Sequence, residues 1–425
     1  MTLLLIGLSH HTTPVAIREH YSVRPSELSG LNEKLVRSSE IDEAALVCTC
    51  NRTELLVVSR TPEAALERAH AFMRHELGDG SARPSHLYEL READAVLHLF
   101  RVAASLDSMV LGEAQILGQV KLAYRAGVAG RSVGPILNRL FQSAFRAAKR
   151  VRSETGLGAS PVSVARIGVD LARELFESLE GKRVLLLGAG EMAESALRSL
   201  QQAGAEDSVV LSRSSESATR LARKYGGRAG SLEALPEELG SASVVLCSLQ
   251  VDRPVVSPRE IESSMPAHQG RPLLLVDLGL PRNVDPAVNE LENVYLYDLD
   301  DLEEVAKRGR AQRGAAIESA LAILYRERDR FEGWLARLPL VPTIRELLGQ
   351  AHELARAEAR RAAGSGEVSS NDSQEAFERM AETIVAKLLH RPLKQLRAES
   401  EAGAGPYYAE AVRRLFGLEL EDEEE

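Results

Sequence analysis

Thiol chemistry is the first possibility this chain offers. The run Leu46-Val-Cys-Thr-Cys-Asn-Arg-Thr-Glu-Leu-Leu-Val-Val58 sets Cys48, Cys50 and Arg52 between two stretches of strand-forming residues. A cysteine attacks as its thiolate, and a neighbouring guanidinium raises the thiolate fraction at neutral pH. Cys50, two residues from Arg52, is therefore the candidate nucleophile, and the alternative for any such cysteine is a small buried hydrophobe. A metal site is the weaker chemistry, because a lone Cys-x-Cys has only Cys247 and scattered histidines to complete it. Alternation predicts strand, short polar loop, strand, with Asn51-Arg52-Thr53-Glu54 breaking the apolar pattern and holding its side chains at a site edge.

A second chemistry lies in Gly181-Lys-Arg-Val-Leu-Leu-Leu-Gly-Ala-Gly-Glu-Met-Ala193. A buried strand delivers Gly188, Ala189, Gly190, Glu191, Met192 and Ala193 into a helix. Glycines let backbone N–H groups approach a pyrophosphate, and the helix N-terminus adds positive potential. Ala193 stands where the dinucleotide fingerprint usually has a third glycine, a replacement that position permits. At the end of the next strand, Ser208 to Ser214, an acidic residue would bind the ribose of NAD. Here Ser212, Arg213 and Ser214 offer hydroxyls and a guanidinium, which suit a 2′-phosphate and point to NADPH.

Elements must bring these two chemistries together. With 425 residues the chain is too long for one ordinary core, and 44% hydrophobic with 27% charged residues is the composition of a globular protein. Three cysteines without a paired secretory pattern predict a reducing, cytoplasmic setting. No apolar run approaches bilayer length, and the opening Met-Thr-Leu-Leu-Leu-Ile-Gly is read as a first strand. A net charge of −10 argues against nucleic acid, yet Arg139, Arg146, Lys149, Arg150 and Arg152 share one predicted helix while Glu421-Asp-Glu-Glu-Glu425 gathers acid at the end. That basic face is either an RNA contact or a solvated helix surface.

Strands are predicted at Leu3–Leu8, Ala44–Val47 and Leu55–Ser59, with helices at Pro62–Leu77, Glu92–Val110 and Gln115–Ala126. Gly156-Leu-Gly-Ala-Ser160 and Pro161 mark a boundary, after which a helix capped by Ser160 or Ser163 runs to Glu180. Further strands at Ser243–Ser248 and Leu273–Leu278 complete a doubly wound parallel sheet. One long helix is expected from about Leu302 to Leu338, then a helix from Val341 to Ala363, a flexible loop from Gly364 to Asn371, and a last apolar face of Phe377, Met380, Ile384 and Leu388. Such stripes pack along another helix, within the chain or across a dimer.

Several ordered blocks resemble the glutamyl-tRNA reductase family over nearly the whole chain. Cys50-Asn-Arg-Thr-Glu54 resembles its active-site signature, and Gly7-Leu-Ser-His-His-Thr-Thr-Pro-Val15 with Arg18-Glu19 its amino-terminal block. The run from His98 to Lys121, Asp277 to Pro286 and Asn293 to Asp301 resemble others. The resemblance implies an α/β multidomain chain. It comprises an α+β catalytic domain (1–156), a Rossmann-type doubly wound parallel sheet domain binding NADPH (157–301), and a long linking helix with an all-helical C-terminal dimerisation domain (302–425).

The implied activity is NADPH-dependent reduction of glutamyl-tRNA(Glu) to glutamate-1-semialdehyde through a cysteine thioester, the first step of tetrapyrrole biosynthesis by the five-carbon route. On this resemblance Cys50 is catalytic and His98 lies near it, either transferring a proton or orienting the ester. Thr49, Asn51, Arg52, Ser108, Glu113, Ala114, Gln115 and Gln119 are expected around the aminoacyl end, with Arg52 pairing the glutamate carboxylate. Closure of the nucleotide domain about the linker near Gly156 and the long helix is expected to bring the nicotinamide to Cys50. A homodimer is implied, and association with the aminomutase that consumes the aldehyde. The competing readings are an NADP-dependent dehydrogenase of a small metabolite and a non-catalytic nucleotide-sensing partner.

Overall fold

The structure is a computed structural model that describes residues 1–80, 82–108, 111, 114–155, 157, 164–310, 314–364, 371–401 and 404–418. By compactness the chain divides into Met1–Tyr325 and Arg326–Glu425.

The first unit opens with strand β1 (Thr2–Ser9), helix α1 (Val15–Arg18), helix α2 (Leu28–Val36), strands β2 (Glu43–Cys48) and β3 (Arg52–Ser59), helix α3 (Pro62–Ala71), strand β4 (Tyr88–Arg91), and helices α4 (Glu92–Ala103), α5 (Ala114–Ala129) and α6 (Pro135–Glu154). The strands form an antiparallel sheet in the order β2-β3-β1-β4. Leu4, Ile6, Leu8, Leu46, Leu55 and Val57 alternate onto one face and share a core with Tyr21, Leu28, Leu35 and Phe72. Helix α5 lies along β2, and α4 contacts β1 and α6.

Two expectations change here. Strand β3 begins at Arg52 rather than Leu55, and Arg52, Thr53 and Glu54 are all buried, so the polar loop shrinks to Thr49–Asn51. Pairing of Thr53 with Leu8 and of Arg52 with Ser9 extends the ladder through the polar run, since main-chain bonds are indifferent to side-chain polarity. Strand β4 was not foreseen. It lies at the sheet edge, pairs only with β1 in the sheet, and its half-exposed Tyr-Glu-Leu-Arg sequence carries a weak apolar signal.

A second sheet follows within the same unit. Its strands are β5 (Arg183–Leu187), β6 (Asp207–Leu211), β7 (Arg228–Gly230), β8 (Val244–Cys247), β9 (Leu273–Asp277) and β10 (Val294–Tyr297). Helices α7 (Val164–Phe176), α8 (Glu191–Gln202), α9 (Ser215–Tyr225), α10 (Leu235–Leu239), α11 (Pro258–His268) and α12 (Leu299–Arg310) accompany them. All pairs are parallel, in the order β10-β9-β8-β5-β6-β7. That order places a topological switch between β5 and β8, the position where open α/β sheets bind dinucleotides. Two apolar clusters cover the faces, one around Val184, Leu186 and Ala193, the other around Leu185, Leu187 and Val245. The capping serines expected for α7 lie outside the described residues.

Helix α13 (Gly314–Arg337) follows α12, so the long helix expected over 302–338 is described as two segments, with 311–313 outside the description. The second unit continues with α14 (Leu340–Gly364), α15 (Asn371–Glu401) and α16 (Gly405–Phe416). Leu347, Val385, Leu389 and Leu418 form one small core there, and Leu340, Leu396 and Ala409 another. Residues 365–370, within the expected loop, and the acidic run 421–425 lie outside the described residues. No helix of the described residues is long and apolar enough to cross a membrane.

Candidate active site

The β2–β3 hairpin carries the thiol loop at its tip. Thr49 N–H donates to Arg52 O at 2.9 Å, and Asn51 N–H to Thr49 Oγ1 at 3.1 Å, closing a tight turn around Cys50. His10 N–H donates to Asn51 O at 2.9 Å, which ties the turn to the end of β1. Cys48, on the strand itself, is a packing residue: Val23 N–H reaches its Sγ at 3.3 Å, and burial pushes its thiol pKa up. Cys50 lines two cavities, of which Cys48 reaches one.

The larger cavity, about 720 Å³, runs from Thr49, Cys50, Gln115 and Gln119 across to Gly188, Ala189, Gly190, Glu191, Met192, Ser212, Arg213 and Ser214. The thiol loop and the glycine turn thus face one space. Gly188 has φ +114°, and a Cβ there would fall 2.6 Å from Ser248 O, at the end of β8. Only glycine fits at the switch point, which keeps the backbone open to a phosphate. Gly190 caps α8 in extended conformation, with nothing within 4 Å of a notional Cβ. Ala193 is buried in the helix-to-strand core and does not line the cavity. Beyond β6, Ser214 Oγ accepts from Ser217 N–H at the start of α9, and Arg213 Nη2 donates to Gln250 O at 2.7 Å. A dinucleotide fits these features: an unobstructed glycine turn at a helix N-terminus, then hydroxyls and a guanidinium at the next strand end.

The smaller cavity, about 70 Å³, is lined by Cys50, Asn51, Arg52, Ser108, Gln115, Gln119 and Met192 among others. Ala114 begins α5, and Glu113 lies outside the described residues. Arg52 is fully buried. Its Nη1 donates to Glu54 Oε1 at 2.7 Å and reaches Asp107 Oδ2 at 3.5 Å, while Nη2 donates to Asp107 O. Its Nε has no hydrogen-bond partner among the described residues. Burial opposes the Arg52 charge, but Glu54, Tyr88 and Asp107 outweigh it and hold the guanidinium above its ordinary range.

His98, on α4, stands behind Arg52 and lines neither cavity. Its Nε2 lies 2.7 Å from Glu54 Oε1 and 3.3 Å from Arg52 Nη1, and its Nδ1 is 3.5 Å from Asp107 Oδ2. Tyr88, from the unforeseen β4, donates to the same Glu54 oxygen.

Sequence reading placed Glu54 at the site edge and quoted Arg18 without giving either a role, and it missed Asp107. Glu54 was legible, because residues two apart on a strand share a face and so Glu54 accompanies Arg52. Buried Arg18 donates from Nε to Thr13 O at 3.0 Å, from Nη1 to Cys50 O at 2.8 Å and from Nη2 to Asp300 Oδ1 at 2.5 Å. Asp300, in the first turn of α12, also accepts from Val15 N–H at 2.8 Å. Glu19 holds Arg282 through two guanidinium contacts of 3.0 and 2.7 Å. Through these bonds the two sheets of the first unit meet with the thiol loop between them.

A doubly wound dinucleotide domain that shares a cavity with a thiol loop belongs to the class of nicotinamide-dependent oxidoreductases. Residues 6–155 match the family model "Glutamyl-tRNAGlu reductase, N-terminal domain", 170–305 "Shikimate / quinate 5-dehydrogenase", and 319–418 "Glutamyl-tRNAGlu reductase, dimerisation domain". The chain is 41% identical over 422 residues to the glutamyl-tRNA reductase of Rubrobacter xylanophilus, covering 98% of this chain and 97% of that one. It is 39% identical to that of Trichlorobacter lovleyi, covering 99% and 97%. Among solved structures, the glutamyl-tRNA reductase from Methanopyrus kandleri is 27% identical with a TM-score of 0.49, covering 98% of this chain and 99% of that chain. The chain belongs to the glutamyl-tRNA reductase family.

Proposed function

We propose that this chain reduces glutamyl-tRNA(Glu) to glutamate-1-semialdehyde with NADPH, releasing tRNA, as the entry to tetrapyrrole biosynthesis by the five-carbon route. The observation that carries the reading is the single cavity lined by both Cys50 and the Gly188–Met192 turn. Residues 1–156 bind the aminoacyl end, 157–301 hold NADPH, and 302–425 link and dimerise the chain as a homodimer. The site of action is the cytoplasm.

Cys50 attacks the ester carbonyl as its thiolate, and the ribose hydroxyl of the tRNA leaves with the bonding electron pair and a proton. An ester of this kind is already activated, so no strong acid is required to expel it. The acyl group then rests on Cys50 as a thioester. Gly188–Met192 would hold the pyrophosphate of NADPH and Ser212, Arg213 and Ser214 its 2′-phosphate, and the dinucleotide would supply the hydride that takes the acyl carbon to the aldehyde level. The Cys50 thiol is regenerated as the aldehyde leaves. Met192 lines both cavities and screens the thioester from water.

Arg52 recognises the glutamate carboxylate with its Nε edge, since its outer nitrogens are already committed to Glu54 and Asp107. Thr49 and Asn51 shape the loop, and Ser108, Gln115 and Gln119 enclose the aminoacyl end, while Glu113 and Ala114 are assigned to it by family membership alone. His98 is a positioning residue, because its ring is bound to Glu54 and stands behind Arg52.

The test withholds NADPH, supplies glutamyl-tRNA and digests rapidly for mass spectrometry. A labile glutamyl adduct is expected on the Cys50 peptide, absent in Cys50→Ser, which loses reduction while still binding NADPH. Turnover by Cys50→Ser would overturn the reading, as would equal reduction of free glutamate.

A further inference from the structure

Where β1 ends, the chain turns through His10 and His11, whose ring centroids lie 3.9 Å apart. Both rings face Glu303 on α12. His10 Nε2 lies 3.7 Å from Glu303 Oε1, and His11 Nδ1 lies 3.9 Å from the same oxygen. One ligand atom from each of the three residues falls within 4.8 Å of the other two. The His10 side chain has no solvent exposure, and neither of its ring nitrogens has a hydrogen-bond partner among the described residues. Buried polar groups are nearly always satisfied, and one left unmet is costly. His11 supplies a further indication, because its other nitrogen, Nε2, is held by Asp107 Oδ1 at 3.0 Å. An imidazole fixed by a carboxylate on one side and open on the other is the usual outer-shell arrangement of a metal-ligating histidine.

We propose that His10, His11 and Glu303 form a binding site for a divalent transition-metal ion of the zinc type. Two imidazoles and one carboxylate are a donor set such ions take, and the fourth position falls to water on the exposed side of His11. Magnesium and calcium favour all-oxygen shells and are selected against by two nitrogen donors. Tetrahedral zinc sets neighbouring ligand atoms about 3.3 Å apart, so the two imidazole–carboxylate spacings contract by about half an ångström and no pair by more than about 1.5 Å. None of the three residues lines either cavity, so the ion acts by fastening rather than by touching substrate. It joins the end of β1 to α12, three residues beyond the Arg18 partner Asp300. It also orders Asp107, which contacts Arg52 from its other carboxylate oxygen. The site does not depend on the reductase reading.

The experiment strips the full-length protein with a chelator, adds zinc alone, removes the excess by gel filtration and measures bound metal. Cobalt serves as a spectroscopic probe in parallel. One zinc per chain is expected, with a cobalt spectrum that lacks sulfur charge-transfer bands. Glu303→Gln and His11→Ala should each weaken zinc binding about tenfold or more. Cys50→Ser should keep the metal. Thermal melting of both ligand variants without zinc reports whether they fold, and added zinc should raise the melting temperature of the parent alone. Failure to retain zinc above trace, equal retention in both ligand variants, or a thiolate signature with cobalt would each overturn the proposal.

Discussion

Arg52 and Glu54 make a residue-scale argument about how a fully buried charge is kept. Burial alone would raise the Glu54 pKa, but Arg52, His98 and Tyr88 outweigh it and hold the carboxyl at about 2, against an ordinary 4.5. Because the folded value lies below the unfolded one, the unfolded chain takes up the proton first as pH falls. The stabilisation is therefore complete above about pH 4.5 and is lost toward pH 2. Glu54→Gln should destabilise the protein by about 3–5 kcal/mol near neutrality, since it leaves Arg52 buried without its carboxylate. The gap from the parent should narrow through that acid window, and thermal melts at stepped pH would read it. Equal melting temperatures at pH 7 would mean that Asp107 alone suffices. The choice of Cys50 over Cys48 was legible from Arg52 beside it, whereas the burial of Cys48 against Val23 came from a distant segment that no local pattern encodes. Arg213 offers a separate check. Arg213→Asp should shift preference from NADPH toward NADH by about an order of magnitude in kcat/KM, and an unchanged ratio would remove it from the 2′-phosphate site.

At the scale of elements, α1 and α12 decide where the thiol loop sits. Arg18 spends one guanidinium on Thr13 O, Cys50 O and Asp300, so the docking of α12 and the position of the loop share one side chain. Asp300→Asn preserves shape and removes the charge from the strongest of these bonds. Charge-assisted bonds contribute about 1.5–3 kcal/mol, so kcat should fall roughly tenfold or more, with KM for glutamyl-tRNA little changed. Steady-state kinetics separate the two constants, and a loss confined to KM would place the effect in substrate binding instead. Buried strands with dense β-branched and leucine content were legible, such as Leu185–Leu187 and Leu273–Val276, because burial on both faces leaves no polar interruption. The edges were not. Strands β4 and β7 are short, half-exposed or exposed, and sit at sheet edges, β4 paired with the distant β1 and β7 with the preceding β6, so neither carries a two-sided apolar run.

On the scale of the whole molecule, the second unit presents apolar surface that its own cores do not use. Met380, Ile384 and Leu388 recur every four residues along α15 and are 56%, 49% and 69% exposed within the chain. An apolar helical stripe of this length marks a surface that another helix covers, and because residues 319–418 match a dimerisation domain the expected cover is a second copy. In sequence the stripe was legible but its partner was not, since an intrachain core and a dimer seam share one periodicity. A twofold interface uses each residue twice. Fully burying an Ile or Leu side chain contributes about 1.5–3 kcal/mol, and with roughly half of each side chain left to cover, Ile384→Glu with Leu388→Glu removes about 3–7 kcal/mol from the dimer, roughly two to five decades in its dissociation constant. Sedimentation equilibrium should then find monomer at micromolar concentration, with far-ultraviolet circular dichroism close to that of the parent because α15 keeps its inward contacts through Val385 and Leu389. An undiminished dimer in the double variant would assign the interface to another face of the bundle and leave this stripe without its cover.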